Sequence, residues 1–425
     1  MLHQIRRWGL VAFTLWSSCP ALAQPCDPAW DADFDLLPID GNVRTLLSIE
    51  SGPMQGLYVG GVFTTIAQTP AAHAAMYDGA NWSPMGQGFN GAVVSFTQFQ
   101  GEICAAGAFT FSGGAVADGV AQWSGADWQP LGAGLNNDVL SLATFDDGSG
   151  ESLYAGGAFT ASATDSVIGV ARWTGANWIA LGIGLQGGAR VAQTMLAFDD
   201  GAGDALYVGG SFLGAGGLPA PNIAKWTGAS WQQVGQGFNA AVRALVIYNG
   251  LLIAGGDFTM SGVTPISHLA QWDGVSWTPF TAGVNGPVYS LSVINTSTGD
   301  LLVVGGNYSQ AGGAPANNIA AFDGDSWSTF DQGAASIVRS AARFQDALYV
   351  GANAVTPAGV SAIPLRKWIL CDNANPQDLN GDGVVNGADL ATLLIQWGAA
   401  GGPSDFNSDG VVDGADLATL LINWG

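Results

Sequence analysis

Charge is what this chain has least of. Only 10% of its 425 residues are charged; 33 are acidic and 11 basic, a formal net charge of −22. So acidic a chain has no electrostatic grip on nucleic acid or on an anionic membrane surface. Histidine is almost missing. His73 and His268, the two beyond residue 23, cannot build a multi-histidine metal site, and nothing marks a partner for a Ser-His-acid triad. Glutamate beyond residue 23 is confined to Glu50, Glu102 and Glu151, which recur as turn residues rather than as the paired carboxylates of a glycosidase. No catalytic residue is assigned, although the lone aspartates Asp118, Asp138, Asp165 and Asp257 leave an Asp-based site open. Long apolar runs are also missing after residue 23, so the mature chain is expected to be soluble, without a membrane span.

The first 23 residues read as a secretory signal. Arg6 and Arg7 precede an apolar stretch, residues 8–16, that is too short to span a bilayer, and Ala21, Leu22 and Ala23 form a small-x-small cleavage site. Export makes disulfides available. Cys19 leaves with the signal, and Cys104 lies in an apolar strand as a small buried side chain. Cys26 and Cys371 remain, bracketing the middle of the chain.

That middle is a repeat. An apolar run ending in Gly-Gly or a close variant recurs seven times: LYVGG at 57–61, ICAAG at 103–107, LYAGG at 153–157, LYVGG at 206–210, LIAGG at 252–256, LVVGG at 302–306 and LYVGA at 348–352. A Phe-Thr-like pair follows, then a loop, then an aromatic: Tyr77, Trp123, Trp173, Trp226, Trp272, Phe322 or Trp368. Five residues after the first six of these sits a tryptophan: Trp82, Trp128, Trp178, Trp231, Trp277 or Trp327. Tight-turn dipeptides such as Asp78-Gly79 and Asp273-Gly274 separate the third and fourth runs of each unit. Four short antiparallel strands per unit make a propeller blade. The glycine doublet followed by spaced aromatics resembles the kelch repeat, which implies a β-propeller but no particular function. The glycines read as tight packing and bulges rather than a phosphate loop, since no helix or lysine follows them. The tryptophans read as blade core rather than a sugar platform.

The seventh unit lacks its second tryptophan. Residues 30–37, which precede the first repeat as each repeat tryptophan precedes its next strand, are expected to supply the missing strand and close the ring, removing open sheet edges. Cys26 and Cys371 would then meet. A disulfide there would close a loop of about 345 residues, worth on the order of 4–5 kcal/mol by the chain-entropy model; two free thiols or a bond to another molecule are the alternatives. Arg44, Arg243 and Arg339 each follow the first valine of an innermost strand, near one channel mouth. They are candidates for an anionic or sugar ligand, the alternative being structural arginines paired with acids.

The last 48 residues carry the clearest chemistry. DLNGDGVVNGADLATLLIQW at 378–397 and DFNSDGVVDGADLATLLINW at 405–424 are near-copies. Each opens with oxygen donors at loop places 1, 3, 5, 9 and 12, a main-chain carbonyl at 7 and Gly at 6, the spacing of a calcium loop. The first set is Asp378, Asn380, Asp382, the Val384 carbonyl, Asn386 and Asp389. The second is Asp405, Asn407, Asp409, the Val411 carbonyl, Asp413 and Asp416. Calcium takes six to eight hard oxygens, which such a loop can wrap around it; the alternative is a pair of metal-free Asp/Asn turns. The tandem resembles a type I dockerin over residues 378–425. The resemblance implies two calcium ions and a cohesin-like partner on a scaffold or cell surface. Loop places 10 and 11, usually hydroxyl residues that contact the cohesin, are here Gly387, Ala388, Gly414 and Ala415, so the contact chemistry does not carry over.

The expected fold is all-β, a seven-bladed β-propeller with four-stranded blades, followed by a small α-helical, EF-hand-like dockerin module. Signal (1–23), propeller (25–370), linker (371–377) and calcium module (378–425) follow in order. The expected function is a secreted, dockerin-anchored propeller that binds a carbohydrate or protein ligand without catalysis. A polysaccharide-degrading subunit, which the dockerin resemblance suggests, and a purely structural cell-surface protein are the alternatives.

Overall fold

The structure is a computed structural model that describes residues 28–296, 299–370, 377, 379, 385–407 and 409–424. Its contacts divide into one compact unit, Pro28–Asp372, and a second that holds Asn373–Gly425.

The first unit contains seven four-stranded antiparallel sheets among the described residues. Their innermost strands are Val43–Ile49, Val93–Phe99, Val139–Asp146, Val191–Asp199, Val242–Tyr248, Val288–Thr296 and Val338–Phe344. Each of these packs against the next, and the last packs against the first, so the sheets form a β-propeller. The final sheet joins both ends of the unit: Ala29–Trp30 pairs with Leu365–Ile369, and Trp30 lies opposite Trp368. Pairing stops there. Residues 30–37 do not form one strand, because Phe34–Leu36 turns into a single 3-10 coil that Asp31 Oδ1 caps by accepting the Phe34 N–H at 3.0 Å. The turn sinks Phe34 into the first inter-sheet core.

The glycine doublets follow from close packing between sheets. A Cβ at Gly209 would sit 2.6 Å from Val242 Cγ1, and one at Gly351 equally close to Val43 Cγ1. The same valine-against-glycine contact thus closes the ring. After each of the first six Gly-containing strands, the aromatic of the Phe-Thr-like pair (Phe63, Phe109, Phe159, Phe212, Phe258 or Tyr308) is buried. A small two-residue hairpin, such as Thr65–Ile66 with Thr69–Pro70, fills several of the stretches read from sequence as plain loop. His73 and His268 occupy left-handed positions before the third strand, where other repeats carry Gly119, Gly169, Asn222 and Asn318. Burial pulls both imidazoles below their ordinary pKa.

The tryptophan ladder is the chief staple. Each ladder tryptophan pairs across a tight turn with the aromatic five residues earlier. The indole N–H groups then reach the preceding sheet: Trp128 to the Met85 carbonyl at 3.1 Å, Trp178 to Leu131 at 3.0 Å, Trp231 to Leu181 at 2.8 Å, Trp277 to Val234 at 3.3 Å and Trp30 to Phe330 at 3.2 Å. Trp327 uses the Thr281 hydroxyl instead. Trp82 Nε1 is buried without a hydrogen-bond partner.

The second unit holds two helices of identical sequence, α1 (Gly387–Ile395) and α2 (Gly414–Ile422). Asn386 and Asp413 cap them, and Asp389 and Asp416 reach back to complete the capping boxes. Val385, Leu393, Val412 and Leu420 form a small symmetric core. No helix is long and apolar enough to cross a membrane among the described residues.

Candidate functional site

The channel site arises from one repeated irregularity. In all seven sheets the pairing of the innermost strand slips by one residue near its head, between Val43 and Thr45 in the first and at the equivalent place in the others. A bulge leaves one residue out of the ladder and re-aims its side chain. The bulged residues, in ring order, are Arg44, Val94, Leu140, Gln193, Arg243, Tyr289 and Arg339. All seven line one cavity of about 500 Å³. The three arginines singled out from sequence therefore converge on a common space. Tyr289 and Gln193 stand at the same repeat position but were not singled out. The signal was the position itself, the residue after Val288 in one strand and, in the strand that starts one residue earlier, after Ala192.

One side of this ring is apolar, Val94 and Leu140; the other runs from Gln193 through Arg243, Tyr289 and Arg339 to Arg44. The Arg243 and Arg339 guanidinium carbons lie 4.9 and 4.4 Å from the Tyr289 ring centre, so the ring is sandwiched between cations. Arg243 also makes a two-pronged ion pair with Asp257, at 2.7 and 2.6 Å. That bond outweighs the effect of burial and raises its pKa. Among the described residues, Arg339 donates its Nε–H to the Asn353 side-chain oxygen at 3.2 Å and meets no carboxylate. Burial first, then the neighbouring charges of Arg44 and Arg243, pull its pKa down to about 10. Arg44 is lowered by burial, and its Nε is buried without a hydrogen-bond partner. Two further buried atoms of the lining, Gln193 Oε1 and Ser290 Oγ, also lack partners. No Asp or Glu is among the residues that line the cavity.

Of the lone aspartates, Asp257 serves Arg243, while Asp118 and Asp138 line a separate cavity of about 340 Å³ with Asn136 and Asn137. Asp165 is exposed on the short strand Asp165–Ser166. Glu50 accepts the Ser48 hydroxyl and the Gln345 N–H, acting as a turn fastener. Cys104 is fully buried, and its thiol is pushed up to about 12.

In the second calcium-loop sequence every expected side-chain donor is described. Asp405 accepts the Asp409 and Gly410 N–H groups, Asp409 accepts that of Val411, and Asp413 that of Ala415. The buried Asp416 carboxylate accepts the Asp413, Phe406 and Asn407 N–H groups, which hold it below its ordinary pKa. Gly410 takes φ +93°, the sharp turn expected at loop place 6. The donor set, oxygen throughout, fits a hard cation such as calcium. No group of three or more His, Cys, Asp or Glu side chains among the described residues is gathered as a metal site. Of the first loop, Asn386 and Asp389 are described, both in the capping box of α1. Asp378, Asn380, Asp382 and Val384 lie outside the described residues, as do Cys26 and Cys371.

The family-model comparison agrees with a β-propeller. The family described as Rax2 C-terminal beta propeller domain matches residues 179–345. No curated protein sequence matches this chain. Among solved structures, the WD40 beta propeller domain of Doa1 is similar at 12% identity with TM-score 0.49, over 80% of this chain and 97% of that one. A chain from a mitotic checkpoint complex structure gives 14% identity and TM-score 0.48, over 85% and 99%. The computationally designed Ika8 protein gives 11% and 0.44, over 77% and 96%.

Proposed function

We propose that this is an exported protein in which a closed seven-bladed propeller is a non-catalytic ligand- or protein-binding module, anchored by a dockerin-like calcium module to a cohesin-like domain on a scaffold or cell surface. Export follows cleavage of a signal near Ala23, and a Cys26–Cys371 disulfide locks the propeller's closing sheet. The observation that carries the anchoring half is the duplication: two loops with the same oxygen spacing, each followed by the same helix, GADLATLLI. Calcium would be held by Asp378, Asn380, Asp382, Val384, Asn386 and Asp389 in one loop, and by Asp405, Asn407, Asp409, Val411, Asp413 and Asp416 in the other. Bound metal would offset acidic charge and order the loops, so docking depends on it.

Exposed apolar side chains support a docking role. Leu394, Ile395 and Trp397 near the end of α1 match Leu421, Ile422 and Trp424 near the end of α2, and all six are exposed, Ile422 by 83%. Large apolar groups exposed at equivalent places are the material of a protein interface. With Gly and Ala at loop places 10 and 11, these apolar ends are the better candidates for partner contact. The test is capture of partners from the native secretome with the full chain, in calcium and in EDTA. A cohesin-bearing protein retained in calcium and released by EDTA supports the reading; equal retention in both refutes it.

A further inference from the structure

We propose that the channel ring is a binding site for a small oxyanion, a carboxylate or sulfate group, held by Arg44 and Arg339. The proposal deepens the ligand-binding reading of the propeller and names the chemistry it would recognise.

Charge sets the starting point. In a chain of net charge −22, the lining of this one cavity contains three arginines and no carboxylate. Arg243 is neutralised by Asp257. Arg44 and Arg339 are paired with no acid among the described residues. Both are half-buried, where a cation without a counter-charge is costly, and the buried Arg44 Nε–H without an acceptor adds to it. The architecture does not require either: the same bulge position is Val94 in one sheet and Leu140 in another. An anion in the cavity supplies the missing charge and accepts from the Arg44 Nε–H at once. Guanidinium groups present their donors as a planar fork that matches an oxyanion.

The surroundings fit the same ligand. Tyr289 is clamped by Arg243 and Arg339 and so presents a fixed wall. Ser95, Ser141, Thr194 and Ser340 are among the lining residues, and the unpartnered Ser290 hydroxyl can donate; Gln193 Oε1, an acceptor like the anion's own oxygens, is left to a donor elsewhere on the ligand. A volume of about 500 Å³ lies within the range of small-molecule sites. The ring is one-sided, polar from Gln193 round to Arg44 and apolar at Val94 and Leu140, so a ligand with one anionic end takes a single orientation.

The experiment is calorimetric titration of the full chain in low-chloride buffer with sodium glucuronate, sodium sulfate and, as the neutral control, glucose. The expected result is one site per chain for glucuronate, sulfate or both, and none for glucose. Binding of sulfate alone identifies a compact inorganic-type anion; glucuronate alone or both identifies a carboxylate site. R44Q and R339Q are each expected to weaken binding about tenfold or more, by loss of charge-assisted hydrogen bonds, whereas R343Q, outside the lining, leaves it unchanged. Should the glutamine variants fail to fold, R44M serves as a second test: its melting temperature without anion equals or exceeds that of the parent, and the anion-induced rise seen in the parent disappears. The proposal is overturned by no binding of either anion up to about 10 mM, an affinity near the weak end of specific recognition. Equal binding by parent and arginine variants, or binding of glucose alone, also overturns it. Titrations in calcium and in EDTA keep the outcome separate from the anchoring reading, because none of these residues belongs to the C-terminal repeat.

Discussion

Replacing Lys225 with methionine probes how neighbouring sheets are tied together. Lys225 Nζ lies 2.6 Å from Asp200 Oδ2, with side-chain exposures of 9% and 4%. The same oxygen accepts the Tyr207 hydroxyl at 2.5 Å and the indole N–H of Trp272, from the next sheet, at 3.3 Å. Methionine keeps most of the stem's volume but removes the ammonium, leaving a carboxylate inside the protein. Breaking one side of a buried pair costs roughly 3–5 kcal/mol, a large share of the roughly 5–15 kcal/mol that holds a domain folded. Removing both charges, in D200N/K225M, should recover most of the loss, because a buried pair is worth little over neutral groups of similar shape. Burial works against the Asp200 carboxylate, but Lys225, Tyr207 and Trp272 outweigh it and lower its pKa. The stabilisation from a lowered pKa is complete above the unfolded value of about 3.9 and fades as pH falls through the folded one. The gap between parent and K225M should therefore be full at neutral pH and narrow in acid. Urea denaturation followed by tryptophan fluorescence measures it. A K225M protein within about 1 kcal/mol of the parent at neutral pH, or a double variant no more stable than the single, would refute the reasoning.

Other outcomes follow from the same geometry. Trp178→Phe removes one of the two donors to the Leu131 carbonyl and should cost about 0.5–1.5 kcal/mol more than Trp82→Phe, whose indole N–H has no acceptor to lose; denaturation of the two variants side by side decides. With Cys26 and Cys371 bonded, native chain without its signal should expose no thiol to a labelling reagent near pH 8, since Cys104 is buried with its pKa near 12. Denaturant without reductant should reveal one thiol if Cys26 and Cys371 are bonded and three if they are not. I395D/I422D should leave calcium binding intact while reducing scaffold capture at least about tenfold, as loss of central apolar contacts does; unchanged capture would move the docking surface elsewhere.

Much of the propeller was legible because each unit repeats the same solution. Spacing of the Gly-Gly runs and tryptophans located the four strands, and the missing seventh tryptophan pointed to Trp30 as its replacement. The extent of that closing strand was not legible. Residues 30–37 look extended in a pattern that ignores capping, but Asp31 offers its carboxylate to the Phe34 N–H and turns the chain after one pair. The arginines at the heads of the innermost strands were visible as a coincidence of position. What made them a site, a bulge repeated in every sheet, depends on strand pairing and leaves no mark in composition. Tyr289 escaped notice for that reason, since an aromatic in a strand reads as core. The ion pair of Asp200 was equally hidden, as a turn-type aspartate gave no sign of facing a cation in the fold; Asp257 stood out as a lone aspartate, and pairing with an acid was the alternative for Arg243, but their juxtaposition depends on the fold.

The calcium content of the full chain is the most direct measurement of the anchoring account. Isothermal titration of metal-stripped protein should show two calcium ions bound per chain, one after D405A and none after D378A/D405A, with helical circular dichroism rising as metal is added. No calcium uptake, or two ions still bound by the double variant, would contradict it.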